Sequence, residues 1–196
     1  MIYQSIADIY AANDTVRRQL AARVENLNEA QQTFRPAVGA WSIAEIVDHL
    51  SKTEHQMVQL IGMLLKKSEG AAAAATTTAS DDEQPAPASS FQPFSLDAFA
   101  EQIKDEKLTA PEQIRPSDSV PLAEALANLR RTRAAIEDLR PRLEAANLGT
   151  SRTYPHPYFG EFNPAQWLAF IGLHEERHLR QIENLMAAPE YGKSES

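Results

Sequence analysis

The sequence predicts an all-α protein, a four-helix bundle in which a long crossover connection joins the second helix to the third. Four segments repeat apolar residues at intervals of three and four, and the alternation typical of strands is scarce. Short segments join helices one to two and three to four, whereas a long stretch rich in Ala, Thr, Ser and Pro separates two from three. Such a connection allows helices two and three to run parallel.

The first two helices are predicted from their apolar stripes. The first stripe extends from Ile2 to Leu27. The second helix opens at "WSIAE", where Ser42 and Glu45 have the spacing of a capping box, in which each side chain accepts from the other residue's backbone N–H. From Ile46 to Leu64, residues that are apolar apart from Thr53 then follow at alternating spacings of four and three. This helix is therefore expected to face the core.

The connection after helix two has a different composition. An Ala/Thr/Pro-rich insertion at about 69–94 is predicted to be a flexible loop rather than a packed element. It leads into "SLDAFAEQIKDE", Ser95 to Glu106, which is predicted to contain a short helix. We expect residues 1–190 to form a single domain, followed by a polar tail at 191–196.

The last two helices carry proline at their starts. The third is predicted to begin near "SVPLAEAL", with Pro121 in its first turn, and to be kinked or ended by Pro141. The fourth begins at "NPAQW", where Asn163 is the predicted N-cap and Pro164 the first helical residue. Gly192 lies just past its expected end.

The charge balance argues against nucleic acid as a partner. The formal net charge is -8, the sequence pI is about 5.2, and no run of Lys or Arg exceeds a pair. Binding to phosphates would need a basic face, and the sequence shows none. The N-terminal segment is too polar for a signal peptide, and "AAAAATTTA" is too short and too weakly apolar to span a membrane. A cytoplasmic location is expected.

The absence of cysteine restricts the chemistry. With no Cys in the chain, disulfides, thiolate metal ligands and a Cys nucleophile are all excluded. Any metal must be held by nitrogen and oxygen, and any thiol must arrive with a substrate.

Two histidines in "LHEERHLRQI" are the strongest candidates for a site. His174 and His178 lie four residues apart on the stripe of helix four that faces the core, so their imidazoles can reach one ion. His49 borders the inward stripe of helix two. Ordinary buried histidines with hydrogen-bond partners are the alternative interpretation. With His49 as third ligand, an ion would keep one or more positions for water or substrate.

Polar neighbours could support these histidines, although the sequence identifies no catalytic residue. Gln181 lies one turn beyond His178 and could orient a bound water or ligand, or be an ordinary polar residue of the bundle. Asp48, Glu54 and Glu175 are possible hydrogen-bond partners of the imidazoles, or exposed carboxylates on helix surfaces.

The pattern H-E-x-x-H is also the zinc site of a class of proteases, in which the Glu acts as the base. Those enzymes need a third ligand downstream, which can be a Glu, an Asp or a His. Neither His nor Asp follows His178, Glu183 is on the same helix, and Glu190 and Glu195 lie in a polar tail. They also align the peptide on a sheet edge, which this sequence does not predict. Glu175 is therefore not expected to be a protease base.

Two stretches are informative together, "WSIAEIVDHLSKTE" and, far downstream, "HPYFGEFNPAQWLAFIGLHEERHLRQI". They resemble the DinB-like (YfiT-type) superfamily of small bacterial metal-binding bundles. The matching features are the Trp-Ser start with His49, the HP-x-F-G loop, and the His-x-x-x-His pair with Gln181 three residues later. The resemblance implies a four-helix bundle with helices two and three parallel. It also implies a homodimer and a divalent ion, zinc or nickel, bound by His49, His174 and His178.

The resemblance also implies a class of activity. Members with known activity are similar to thiol S-transferases that use bacillithiol or mycothiol, and to mycothiol-dependent maleylpyruvate isomerase. We therefore expect a metal-dependent S-transferase whose partners are a low-molecular-weight thiol and a small electrophile. A metal-dependent hydrolase, or a non-catalytic bundle with a structural or sensing metal, is the alternative. A fourth protein ligand would favour the non-catalytic alternative.

Overall fold

A computed structural model describes residues 1–78, 91–103, 109–117, 120–156 and 158–192. Within these residues the long helices are α1 (Ile6–Val24), α3 (Ile43–Thr78), α5 (Leu122–Asp138) and α7 (Pro164–Met186). The shorter helices are α2 (Glu29–Thr33), α4 (Asp97–Ile103) and α6 (Arg140–Ala145), and a 3-10 turn covers Glu112–Ile114. The strands form two antiparallel pairs, β1 (Ile2–Tyr3) with β2 (Phe94–Ser95), and β3 (Tyr154–His156) with β4 (Gly160–Phe162).

Two clusters of buried apolar side chains show the directions of the long helices. One cluster joins the starts of α3 and α5 to the ends of α1 and α7. The other joins the later part of α3 and the end of α5 to the starts of α1 and α7. Therefore α3 and α5 run in the same direction, opposite to α1 and α7. The predicted four-helix bundle with parallel second and third helices is confirmed.

The predicted starts of α3 and α7 are confirmed by their caps. Ser42 N donates to Glu45 Oε2 at 2.7 Å, and Glu45 N donates to Ser42 Oγ at 3.3 Å. Asn163 and Gln166 form the same reciprocal box at the start of α7, with both bonds at 2.9 Å. These caps fix where each helix begins and therefore which residues face the interior.

The second long helix is longer than the sequence analysis predicted. Residues 69–78, which were assigned to the flexible insertion, are helical and continue α3 to Thr78. Alanine has the highest helix propensity, so the run that begins at Ala71 extends the helix. The remainder of the predicted insertion, as far as residue 90, lies outside the described residues. From residue 91 the chain is described again.

The N-terminus differs from the prediction as well. α1 begins at Ile6 rather than Ile2, because Ser5 Oγ accepts from Asp8 N at 3.1 Å and caps the helix there. Ile2 lies in β1 and is 62% exposed, whereas Tyr3 beside it is buried. A strand of two residues is too short to show an alternating pattern.

The prolines of the third helix act at helix starts. Pro121 is the N-cap of α5, just before the predicted position in its first turn. Pro141 lies in the first turn of α6, so the helix changes at Leu139, before the proline. A proline is tolerated there because the N–H groups of a first turn have no partner within the helix.

Three smaller features also relate to the sequence predictions: α4, the segment around His156, and Tyr191. The short helix predicted within Ser95–Glu106 is present as α4, and residues 104–108 lie outside the described residues. The segment around His156, predicted as a loop, is the β3–β4 hairpin. Tyr191, predicted to lie in the tail, packs edge-on against Phe34 with ring centroids 5.6 Å apart, and residues 193–196 lie outside the described residues.

Across the described residues, no helix is both long and apolar enough to cross a membrane.

Candidate metal centre

The bundle brings together the three histidines that the sequence singled out. His49 lies in the second turn of α3, and His174 and His178 lie on consecutive turns of α7. His49 and His178 are buried, and His174 is half-buried. Since α3 and α7 pack against each other, the capped starts of both helices determine that these three side chains meet.

The distances between the ring nitrogens suit a single divalent ion. One nitrogen from each histidine lies within 4.8 Å of the other two. Nε2 of His49 and Nε2 of His174 are 3.3 Å apart. Two nitrogens bound to one tetrahedral zinc ion at ~2.0–2.1 Å would be roughly 3.3 Å apart. Among the described residues, no carboxylate and no fourth histidine joins this group.

Hydrogen bonds fix the tautomers of two of the rings. His49 Nδ1 donates to the carbonyl oxygen of Ile114 at 2.6 Å. His178 Nδ1 donates to Gln181 Oε1 at 2.9 Å, so the predicted neighbour Gln181 contacts an imidazole directly. With the proton on Nδ1, the lone pair on each Nε2 is available to a metal ion.

Burial keeps the three imidazoles uncharged at neutral pH. Burial, followed by the neighbouring histidines, holds the pKa of His174 well below its usual value. Burial lowers the pKa of His178 to about 3. Burial also lowers the pKa of His49, although its bond to the carbonyl of Ile114 acts in the opposite direction. Metal binding requires neutral imidazoles, so this environment favours it.

An indole ring covers one side of the group. The Trp41 ring lies 4.9 Å from the His49 ring, centroid to centroid, and 6.4 Å from the His178 ring, with the latter planes 22° apart. Trp41 immediately precedes the capping residue Ser42, so the cap of α3 also sets the position of this ring. The half-buried indole therefore shields two of the three imidazoles from solvent.

Glu175 and Glu54, predicted as possible partners of the imidazoles, are buried in a different network. Glu175 Oε1 accepts from Arg133 Nη2 at 2.7 Å, and its Oε2 lies 3.6 Å from Arg17 Nε. Glu54 Oε2 accepts from Thr132 Oγ1 at 2.8 Å. The bonds of both carboxylates therefore run to α1 and α5 side chains. Neither arginine was predicted to belong to a site: Arg133 lies on the apolar stripe of the third predicted helix, and an arginine such as Arg17 is ordinarily expected at the surface.

His156 lies outside the histidine group. Its ring stacks on Phe159, with centroids 4.5 Å apart and planes 18° apart, and its Nδ1 accepts from Tyr158 N at 3.2 Å. Burial lowers the pKa of His156 to about 4. The Phe170 ring contacts both His156 and the histidine group: its centroid is 4.6 Å from that of His156 and 6.2 Å from that of His174. The HP-x-F-G motif thus contributes to an aromatic cluster beside the start of α7.

A four-helix bundle with three histidines converging between its second and last long helices defines a class of bundles suited to a metal ion. The sequence model of the DinB superfamily matches residues 12–182, and the chain belongs to this superfamily. The match includes all three histidines. The resemblance inferred from the sequence motifs is confirmed.

The chain is also similar in sequence to a curated protein and in fold to two solved structures. The chain is 25% identical over 167 residues to the uncharacterized protein YuaE of Bacillus subtilis (strain 168), an alignment covering 83% of this chain and 87% of YuaE. Its fold is similar to that of TT2238, a four-helix bundle protein, with a TM-score of 0.58 and 19% identity, covering 92% of this chain and 99% of TT2238. It is also similar to YfiT from Bacillus subtilis, with a TM-score of 0.57 and 16% identity, covering 92% of this chain and 85% of YfiT. YfiT is described as a probable metal-dependent hydrolase with an unusual four-helix bundle topology.

Proposed function

We propose that the protein binds one divalent ion, zinc or nickel, through Nε2 of His49, His174 and His178, and acts as a metal-dependent S-transferase. Its substrates would be a low-molecular-weight thiol and a small electrophile. The observation that carries the metal assignment is the convergence of three neutral imidazoles, two of them with Nδ1 already bonded to an acceptor. Imidazole nitrogen suits zinc and nickel alike.

The number of ligands supports a catalytic site over a structural one. Three protein ligands with a free position are typical of catalytic zinc sites, whereas structural sites usually have four. In the described part of the chain the group contains three. A bound divalent ion lowers the pKa of a thiol or water that occupies its free position.

The chain's own residues have limited roles in this reaction. Trp41 shields the histidines and would restrict the entry of water. Gln181 holds the ring of His178. With no cysteine in the chain, the nucleophilic sulfur must belong to the substrate. That sulfur would bond to the electrophilic carbon, the leaving group would depart with its electron pair, and the thiol proton would pass to solvent.

Hydrolysis is the second candidate, and the description of YfiT as a probable metal-dependent hydrolase favours it. The same free position could accept water instead of a thiol. The two reactions therefore share the three histidines and differ in the nucleophile.

Metal content is the first test. The protein would be purified without added metal or an affinity tag, and metal would be counted by mass spectrometry. We expect about one equivalent per chain in the parent and little in His174→Ala or His178→Ala, because each variant loses one of three ligands. His55→Ala is the matched control, since His55 lies on α3 but is exposed. Parent protein without any metal would contradict the metal site.

Activity assays then separate the reactions. The metal-loaded protein would be incubated with bacillithiol, mycothiol or glutathione and a chromogenic aryl halide, and separately with chromogenic esters and amides without thiol. Thiol-dependent product that is lost in His178→Ala supports S-transfer. Thiol-independent cleavage supports hydrolysis. A loaded protein with neither activity would favour a structural or sensing metal.

A further inference from the structure

We propose that residues 112–117, a strap within the connection from α4 to α5, position the ring of His49, and that Asp48 and Lys52 hold this strap on α3. The inference rests on the proposed metal site, because it assigns positioning residues to one of its ligands. Asp48 and Lys52 are four residues apart on α3, so they lie on one face of the helix and flank His49.

The strap supplies the acceptor for His49. The Ile114 carbonyl oxygen lies 2.6 Å from His49 Nδ1 and accepts its proton in a hydrogen bond. This bond keeps the proton on Nδ1 and directs Nε2 toward His174, whose Nε2 is 3.3 Å away. Hydrogen bonds of this kind to metal-binding histidines set both the tautomer and the ring orientation.

Side chains of α3 bind the strap immediately beyond Ile114. Lys52 Nζ donates to the Arg115 carbonyl oxygen at 2.9 Å and to Ser117 Oγ at 2.7 Å. Ser117 N donates to Asp48 Oδ2 at 2.8 Å, and Lys52 Nζ lies 2.8 Å from the same oxygen. The carboxylate of Asp48 is buried, with 3% of the side chain exposed, so its bonds are protected from water.

The strap has little apolar packing to hold it otherwise. Its 3-10 turn is closed by Ile114 N donating to Pro111 O at 3.1 Å and Arg115 N donating to Glu112 O at 3.2 Å. Within the strap, Ile114 and Pro116 are half-buried and the other residues are exposed. Because a fully buried anchor is lacking, the polar contacts to α3 carry most of its attachment.

Releasing the strap should therefore weaken the metal site without removing a ligand. Mutation of residues that orient metal ligands typically lowers metal affinity ~10–100-fold. The coupling is reciprocal, so metal binding should also protect the strap from opening.

Lys52→Met is the main test, because Lys52 is partly exposed and its loss need not prevent folding. Lys52→Arg should restore the contacts in part, and Lys66→Met is the control at an exposed lysine on the same helix. Metal affinity would be measured by competition with a chromophoric chelator. We expect about tenfold weaker binding in Lys52→Met, near-parent affinity in Lys52→Arg, and no change in Lys66→Met.

A second readout does not require metal. The tautomer of His49 in metal-free protein would be assigned from nitrogen-15 NMR of its ring, and hydrogen exchange of the Ser117 amide would report attachment of the strap. In Lys52→Met we expect faster exchange at Ser117 and loss of the pure Nδ1–H form of His49. A purely structural role for Lys52 would leave that tautomer unchanged.

An unchanged tautomer together with unchanged affinity in Lys52→Met would overturn the assignment of Lys52. The same result in the double variant Asp48→Asn/Lys52→Met would overturn the role of the whole strap. Failure of the proposed function is distinguishable: parent protein that binds no metal contradicts the metal site, while the NMR comparison still decides whether the strap sets the ring of His49.

Discussion

Arg133 and Glu175 join α5 to α7 through an ion pair of 2.7 Å in which the carboxylate is completely buried. Arg17 of α1 lies 3.6 Å from the other carboxylate oxygen, so three helices meet at one charge. Buried ion pairs contribute little compared with apolar residues, but removing one partner leaves an uncompensated charge. The network is therefore sensitive to single substitutions.

We expect Arg133→Met to lower the free energy of unfolding by about 3–5 kcal/mol, because Glu175 would lose its closest cation in a buried position. Urea denaturation followed by circular dichroism measures this. Adding Glu175→Gln should recover part of the loss, since the unpaired charge disappears. Arg130→Met is the control: Arg130 is exposed and lies 3.6 Å from Glu25, so a change within about 0.5 kcal/mol is expected. Equal losses of stability in Arg133→Met and Arg130→Met would show that the burial of Glu175 does not increase the cost of removing its partner.

Substitution by alanine should have opposite effects on stability at two helical glycines, Gly172 and Gly62. A Cβ at Gly172 would overlap Asn13 Oδ1, and Asn13 is buried and its Nδ2 donates to the Leu168 carbonyl oxygen. Gly172→Ala should therefore destabilise the fold by about 1–3 kcal/mol through overpacking between α1 and α7. At Gly62 the nearest atom would be Leu139 Cδ2 at 3.9 Å, an ordinary contact.

Gly62→Ala should accordingly stabilise the protein by about 0.5–1 kcal/mol, because alanine is the better helix former. Thermal and urea unfolding of both variants would be compared with the parent. A stabilising Gly172→Ala would mean that α1 and α7 are not packed as closely as the Asn13 contact indicates.

Glu54 should make stability depend on pH. Burial, followed by the nearby carboxylate of Glu175, raises the pKa of the Glu54 carboxyl well above its usual value. The folded chain keeps this proton to a higher pH than the unfolded chain does. The contribution of Glu54 to the free energy of unfolding is therefore fully present below the pKa of this carboxyl in the unfolded chain, about 4.3. It is lost as pH rises through its pKa in the folded chain.

Glu54→Gln is neutral at every pH, so the free energy of unfolding of this variant relative to the parent should increase between pH 4 and pH 8. Urea titrations across that range measure the difference. Glu161→Gln, at an exposed carboxylate on β4, is the control and should show a flat difference. A flat difference for Glu54→Gln as well would indicate that Glu54 titrates normally in the folded protein.

Trp41 should report metal binding by its fluorescence. The indole lies 4.9 Å from the His49 ring, and the chain has two tryptophans, the second being Trp167. Nickel or cobalt bound at the histidines should quench Trp41 strongly because of its proximity. Trp167→Phe should retain most of the quenching and Trp41→Phe should lose most of it. Quenching that persists in His178→Ala would indicate binding elsewhere.

The sequence predicted the helices whose starts carry side-chain signals. Ser42 with Glu45, and Asn163 with Pro164, place two helix starts within the chain, and the stripes behind them place the histidines inward. The direction of α3 relative to α5 followed from the length of the connection between them. These features could be predicted because each depends on local spacing.

The remaining features depend on contacts between distant segments. The strap binds His49 through the backbone carbonyl of Ile114, and a backbone group has no side-chain signature. β1 pairs Ile2 with Ser95, far away in the chain, over too few residues to show a pattern. The burial of Arg17 was not predicted because its charge suggests exposure. Its partner Glu175 lies on another helix, so no local spacing indicates the ion pair. The helical run after Glu69 was missed because alanine-rich composition was interpreted as a linker.

The convergence of His49 and His174 has a consequence for the stability of the folded chain. These residues are separated by 125 positions, so an ion held by both would act as a cross-link closing a long loop. The entropy cost of closing a loop grows only slowly with its length, as roughly (3/2)RT ln n, and a ligand that binds the native state alone stabilises it. The ion would then tie an early helix to the last one, a constraint that a chain without cysteine cannot obtain from a disulfide bond.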